Sequence, residues 1–239
     1  MHDIKYNLSY PDGIPFVSVV MSTYHKGTFI KQTLESIRKN ETKIPYEIIV
    51  VDDGSVNWDR HFHLDICYDY GAQYTFVDGR GYRNPAVARN IACRQARGEI
   101  LIMQSDDVIH TRPDTIDVLA NLKRGEVNIA TVYNFKDGKR TQLYTGKDYQ
   151  RPFFFLGAMY KDDFWNIGGN DEDFTSPGYE DNMLGEMILR NYTVNYLDEA
   201  IGHHQWHIRP TDLGRLVYPS RVLFEKKVQE LNEMGKDLE

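Results

Sequence analysis

The sequence predicts an α/β fold: a mostly parallel central sheet flanked by helices, followed by a less regular second half. Three observations carry that reading. Short, nearly continuous apolar runs recur at 16–21, 46–51, 74–77 and 99–104, the pattern of strands buried on both faces. Segments with apolar residues at helical spacing alternate with them, as in βαβ units. Two of the runs end in acidic doublets, Asp52-Asp53 and Asp106-Asp107. Open α/β sheets bind their ligands at such carboxyl ends.

Taken in order, residues 1–15 are polar, contain proline and read as an arm. The run 16–21 is the first strand, and Phe29, Ile30, Thr33, Leu34 and Ile37 mark one face of a helix. Strand 46–51 completes the first βαβ unit. Strand 74–77 ends in Asp78-Gly79, and Pro85 suits a helix start ahead of Val87, Ala88, Ile91 and Ala92. Strand 99–104 is followed by a helix around 114–123, with Ile116, Leu119 and Leu122 inward, and a strand at 127–133. The polar stretch 134–152 reads as a surface loop or hairpin. A strand at 153–159, a short helix at 160–167 and a turn-rich loop at 168–172 come next. The helix 180–190 turns Leu184, Met187 and Ile188 inward, and a strand at 192–197 closes the core. Finally, 219–236 is an amphipathic helix expected to dock through Val222, Leu223, Val228 and Leu231.

A chain of 239 residues suits a single domain over 1–239. Within it, 16–133, 134–207 and 208–239 read as a ligand-binding half, a second half that completes the site, and a tail. A net charge of −7 argues against a nonspecific nucleic-acid binder, so no nucleic-acid partner is expected. Cys67 and Cys93 form no CxxC pair, which makes a reducing, cytoplasmic setting the default. The first residues lack a hydrophobic signal region, and no apolar run is long enough to span a bilayer. A membrane-borne partner would therefore be met by peripheral contact.

Four clusters could carry chemistry. Asp106-Asp107 could hold a hard divalent cation that neutralises a diphosphate leaving group, one carboxylate on metal and one on a ribose hydroxyl. A solvated turn or helix cap is the plainer explanation. Asp52-Asp53-Gly54-Ser55 could accept from a nucleobase imide or a ribose hydroxyl, or could simply cap a helix. His203-His204-Gln205-Trp206-His207 offers imidazole ligands, although it lacks the glutamate of a HExxH motif. Glu180 and Asp181 at a helix start fit dipole stabilisation, or supply a general base. Gly168, Gly169 and Gly178 would let backbone approach a sugar. By contrast, the stretch from Gly79 to Asn84 is a poor dinucleotide fingerprint, because its third glycine is missing.

The order of these segments resembles the family 2 glycosyltransferases of the GT-A fold. The stretches that carry the resemblance are 17–24, 47–55, 84–90 with Ala88-Arg89-Asn90, 98–107 and 168–181, together spanning about 16–207. The resemblance implies an enzyme, a glycosyltransferase of hexosyltransferase type. Its donor is a nucleotide-sugar, with a UDP-sugar favoured, and its cofactor is Mn²⁺ or Mg²⁺. The acceptor is a hydroxyl of a glycan, lipid-linked or protein-linked. By this match Ser22, Tyr24, Asp52, Asp53, Arg89 and Asp106 bind nucleotide, and Asp107 binds metal with a histidine, His207 favoured and His204 or His203 the alternatives. Asp181 is the base and Glu180 its helper, while Gly169, Asp171, Glu172 and Trp165 lie toward sugar and acceptor. A single displacement with inversion follows, the base and the leaving group lying on opposite faces. The base's pKa is expected to rise beside Trp165 or Tyr179 once water is excluded. A sugar-phosphate nucleotidyltransferase is the main alternative, but it would want a basic, glycine-rich loop where Ser22 to Gly27 stand. A non-catalytic nucleotide- or sugar-binding module is the other.

Overall fold

The computed structural model describes residues 14–78, 84–208 and 211–236. Most of the polar arm and the glycine-containing stretch 79–83 lie outside the described residues. Chain order runs β1 (Val17–Thr23), α1 (Phe29–Arg38), β2 (Tyr46–Asp52), α2 (Asn57–Asp69), β3 (Gln73–Phe76), α3 (Ala86–Gln95), β4 (Ile100–Gln104) and β5 (Val108–His110). It continues with α4 (Thr115–Ala120), β6 (Glu126–Lys136), β7 (Lys139–Thr145), β8 (Leu156–Tyr160), α5 (Lys161–Asn166), α6 (Glu180–Asn191), β9 (Thr193–Gln205) and α7 (Leu213–Lys236).

One nine-stranded sheet runs β3-β2-β1-β4-β8-β6-β9-β5, with β7 paired to β6. The first four strands in that order are parallel. Antiparallel pairs enter only in the second half, at β4–β8, β6–β8, β6–β7 and β5–β9. Both sheet faces are covered. Ile30, Leu34 and Ile37 of α1 and Ile116 and Leu119 of α4 pack on one face. Ala88 and Ala92 of α3, Phe164 of α5, and Leu184 and Ile188 of α6 pack on the other. This is why the parallel strands read as unbroken apolar runs: each residue meets a helix on whichever side it points.

Chain reversal at β1 fixes where the site lies. β2 and β3 extend the sheet to one side of β1, whereas β4 pairs on the other. The crossovers therefore diverge between β1 and β4, and a crevice opens beyond their carboxyl ends. Gly98, just before β4, allows that pairing. A Cβ there would sit 2.7 Å from the Ser18 backbone nitrogen and 2.9 Å from the Phe16 carbonyl oxygen. Gly98→Ala is expected to lower stability by about 1–3 kcal/mol through this backbone collision, read as a lower urea midpoint with an unchanged slope.

Several boundaries differ from the sequence reading. Helix α2 goes unread because only His63, Ile66 and Cys67 are buried along it, too few for an apolar stripe. The hairpin reading of 134–152 holds for β6–β7, which turns between Lys136 and Lys139. Strand β9 runs through Gln205, well beyond Leu197, and β5 is too short to leave a pattern. Helix α7 starts at Leu213 and accommodates Pro219. Its contact face carries Ser220, whose hydroxyl donates to the Ser176 carbonyl at 2.6 Å, and Lys227, paired with Asp171 and Asp173. Leu223, Val228 and Leu231 are half-buried as expected, but Val222 is 47% exposed. It lies on the flank of a face defined by positions 220, 223, 224 and 227.

Candidate active site

A cavity of about 320 Å³ opens at that crevice, lined by residues from Ser22 to His207 in sequence. Each wall has a distinct origin. The end of β1 supplies Ser22, Thr23 and Tyr24, and the following loop supplies Lys26. Asp53 follows β2, Ser105 to Asp107 follow β4, Arg89 reaches in from α3, and Asp181 stands in the first turn of α6. His204 and His207 close the far side together with Phe155.

Asp107, His204 and His207 converge so that one ligand atom from each lies within 4.8 Å of the others. His204 Nε2 is 3.5 Å from Asp107 Oδ1, and His207 Nε2 is 3.3 Å from Asp107 Oδ2. Short-range pairing explains the convergence. β5 begins one residue after Asp107 and runs antiparallel to β9, setting Val108 opposite His204. The Gln205 amide also donates to the Asp107 carbonyl at 2.8 Å. His204 is further held by Asn134 Oδ1 at 3.2 Å and by the rings of Tyr144 and Phe155. His203 points the other way along the strand, stacked on Phe135 and hydrogen-bonded by Arg140.

The electrostatics of the two aspartates diverge. Burial works to raise Asp107, but His207, Lys26 and His204 outweigh it and hold the carboxyl well below its ordinary range. Burial pushes Asp106 up to about 6 against the pull of Lys26, and the Asp107 charge adds to the rise. Asp106 Oδ2 is buried with no hydrogen-bond partner of standard geometry among the described residues. The Asp107 carboxylate and the two imidazoles make a mixed oxygen and nitrogen donor set, with the orphaned Asp106 oxygen belonging to the wall of the same cavity. It fits a divalent cation such as Mn²⁺.

Arg89 is the second hub. Its guanidinium donates to Asp181 Oδ1 and lies 3.6 Å from Glu180 Oε1. Burial disfavours its charge, yet Asp181 and Glu180 more than offset that, so its pKa stays above the ordinary value. The carboxyl that burial raises is Glu180, pushed up to about 7, with Asp181's charge contributing and Arg89 opposing. Glu180 also accepts from Asn84 Nδ2 at 3.3 Å. The turn before it is tight: Gly178 and Tyr179 have φ of 77° and 67°, the latter costly for a residue with a side chain.

A raised carboxyl makes stability fall with pH. The fold favours neutral Glu180, so its contribution is complete near the ordinary value of 4.5 and declines as pH approaches about 7. Glu180→Gln removes that decline. The urea-unfolding free energy of the variant should gain on the wild type between pH 5 and pH 8 by on the order of 1–2 kcal/mol. A constant gap across that range would contradict it.

Six of the residues given a role in the sequence reading, Glu180 behind Arg89 among them, do not line this cavity. Asp52 is buried beneath it, accepting from Ser55 N at 2.7 Å and Tyr74 OH at 2.9 Å and bonded to His63 at 2.8 Å. Burial opposes its charge, but His63 and Ser55 hold its pKa down. It shapes the turn that presents Asp53. Gly169, Asp171 and Glu172 line a separate cavity of about 420 Å³ with Asn90 and Arg94. A Cβ on Gly169 would lie 2.8 Å from the Trp165 ring, and its φ is 73°, so close packing accounts for the glycine. Glu172 accepts from Asn90 at 2.7 Å and Arg94 at 3.2 Å, Asp171 pairs with Lys227, and Trp165 packs on Phe164 under Arg94. Conversely, Lys26, Thr23, Pro85 and Phe155 line the cavity without having been singled out. Only Lys26 left a trace, as the one basic residue in the loop after the first strand to face the cavity.

A crevice of this make-up on this sheet defines a GT-A glycosyltransferase architecture. Solved structures agree on the fold. The mannosyltransferase PcManGT from Pyrobaculum calidifontis, in complex with GDP-Man and Mn²⁺, aligns with a TM-score of 0.60 at 19% identity, covering 88% of this chain and 63% of that one. GalNAc-T7 with UDP, GalNAc and Mn²⁺ aligns with a TM-score of 0.65 at 15% identity, covering 84% and 46%. The family model for glycosyl transferase family 2 matches residues 18–176, and the chain belongs to that family. Validoxylamine A glucosyltransferase from Streptomyces hygroscopicus subsp. jinggangensis is a relative, 26% identical over 73% of this chain and 51% of its own length. The chain thus spans about half the length of that relative. No helix among the described residues is long and apolar enough to cross a membrane.

Proposed function

We propose that the chain is a metal-dependent, inverting glycosyltransferase that moves a sugar from a nucleotide-sugar, with a UDP-sugar favoured, to an acceptor hydroxyl of a glycan or glycoconjugate. One observation carries the reading. The Asp107–His204–His207 cluster and the Arg89–Asp181 pair face the same cavity. A site for the leaving group and a carboxylate for the acceptor are thereby set against each other. The GDP-Man and UDP complexes of the structural neighbours support a nucleotide-sugar donor in this crevice. They differ in the base, so the preference for UDP rests on the sequence resemblance.

In this reading Asp107, His204 and His207 hold Mn²⁺ or Mg²⁺, and Ser22, Tyr24, Asp53 and Asp106 surround the nucleoside and ribose. Such a cation, when bound, neutralises charge on the departing diphosphate. Asp181 accepts the proton of the acceptor hydroxyl as its oxygen attacks the anomeric carbon, and the diphosphate leaves from the opposite face. Arg89 fixes the orientation of Asp181 until the acceptor arrives. Glu180, buried and drawn toward Arg89, supports that pair from behind.

The test is incubation with Mn²⁺ and a panel of nucleotide-sugars. Release of a nucleoside diphosphate, by transfer or slow hydrolysis, is the expected result. Pyrophosphate formation from a sugar phosphate and a nucleoside triphosphate would point to a nucleotidyltransferase. Donor binding without turnover by the full-length protein would leave a non-catalytic binding module.

A further inference from the structure

The cavity contains a cation that the chain supplies itself. The Lys26 ammonium donates to Asp107 Oδ2, stands 3.8 Å from Asp106 Oδ1 and lies 3.4 Å from His207 Nε2. Asp107 and His207, whose Oδ2 and Nε2 are only 3.3 Å apart, are also two of the three residues that converge as a candidate metal site. Small divalent cations take oxygen and nitrogen ligands at roughly 2.0–2.2 Å. An ammonium already seated on Asp107 and a divalent ion therefore compete for the same space as well as for the same charge.

The loop that carries Lys26 is pinned through His25, and the Phe29 amide donates to the Lys26 carbonyl at 3.1 Å. His25 and Gly27 have φ of 50° and 51°. The His25 amide donates to Ser55 Oγ at 2.9 Å, and its ring pairs with Asp59 at 2.7 Å. The backbone is thus held while the four-carbon side chain of Lys26 keeps its rotatable bonds. Buried Asp107 is costly to leave without a countercharge. Exchange of one cation for the other satisfies it throughout.

We propose that Lys26 is the resident counter-ion of the Asp106–Asp107–His207 cluster, and that a divalent cation enters by displacing its ammonium. Metal affinity is then set by this exchange, because the apparent constant is weakened by the fraction of molecules in which Lys26 occupies the cluster. The inference rests on the metal reading of the proposed function, and its test separates the two.

Mn²⁺ is titrated calorimetrically into the wild-type protein, Lys26→Gln and Asp107→Asn. The exchange predicts binding at least about tenfold tighter in Lys26→Gln and lost in Asp107→Asn. If Asp107→Asn abolishes binding but Lys26→Gln matches the wild type or binds more weakly, the exchange is wrong and the metal reading stands. Should Mn²⁺ bind neither the wild type nor Lys26→Gln, both fall. A second measurement needs no variant. Acetylation of Lys26 in the wild-type protein, followed by mass spectrometry, should speed up at least about threefold with saturating Mn²⁺ as its ammonium is released. An unchanged or slower rate overturns the proposal.

Discussion

Asp181→Asn is expected to lower sugar transfer by about 10²–10⁴-fold while leaving nucleotide affinity within about threefold of the wild type. The size follows from removing the only role in which the side chain must take a proton. The selectivity follows from position: Asp181 stands at the start of α6, whereas Ser22, Tyr24 and Asp53 approach from the ends of β1 and β2. Asparagine keeps a hydrogen-bond acceptor for Arg89, and Glu180 remains 3.6 Å from the same guanidinium. The arginine is thus not stranded, and circular dichroism should show a folded variant. Steady-state transfer and calorimetric nucleotide binding measured on one preparation give both numbers. A loss of affinity as large as the loss of rate would instead make Asp181 a binding residue.

Asp107→Asn should be the more general lesion. Its carboxylate is the common partner of His204, His207 and Lys26, so the substitution removes the charge around which the cluster is built. Metal assistance to a leaving group is worth several kcal/mol, or about a hundredfold or more in rate. The variant should also lose the rise in melting temperature that Mn²⁺ gives the wild type. Stability without metal should change less, because Lys26 then faces a neutral amide but still lies near Asp106. Near-normal transfer by both this variant and Asp181→Asn would end the proposed assignment.

Much of the site was legible because strands announce their own ends. The runs that become β1, β2 and β4 stop where their buried apolar residues stop, so Ser22, Asp53, Asp106 and Asp107 fall at one edge of the sheet. The helix that carries Arg89 shows its face through Ala88 and Ala92, and the one behind Asp181 through Leu184 and Ile188. Less was legible in the second half. The choice between His203, His204 and His207 turns on the β5–β9 register, and β5 is three residues long. The doublet Asp52-Asp53 looks like two equivalent acids in sequence. Alternation along the chain sends one beneath the cavity to His63 and Tyr74 and the other into it.

By itself, then, the sequence determined the parallel half of the sheet, the carboxyl-end placement of its acids, and the family resemblance. These depend on local period and short-range order, which hydrophobic patterning encodes directly. Only the tertiary structure decided how those acids divide. It paired Arg89 with Asp181 across 92 positions and brought Lys26 to Asp107 across 81. It also moved Gly169, Asp171 and Glu172 to a cavity of their own. Such contacts leave no periodic trace, because each is made once, between side chains that only the packed sheet brings within reach.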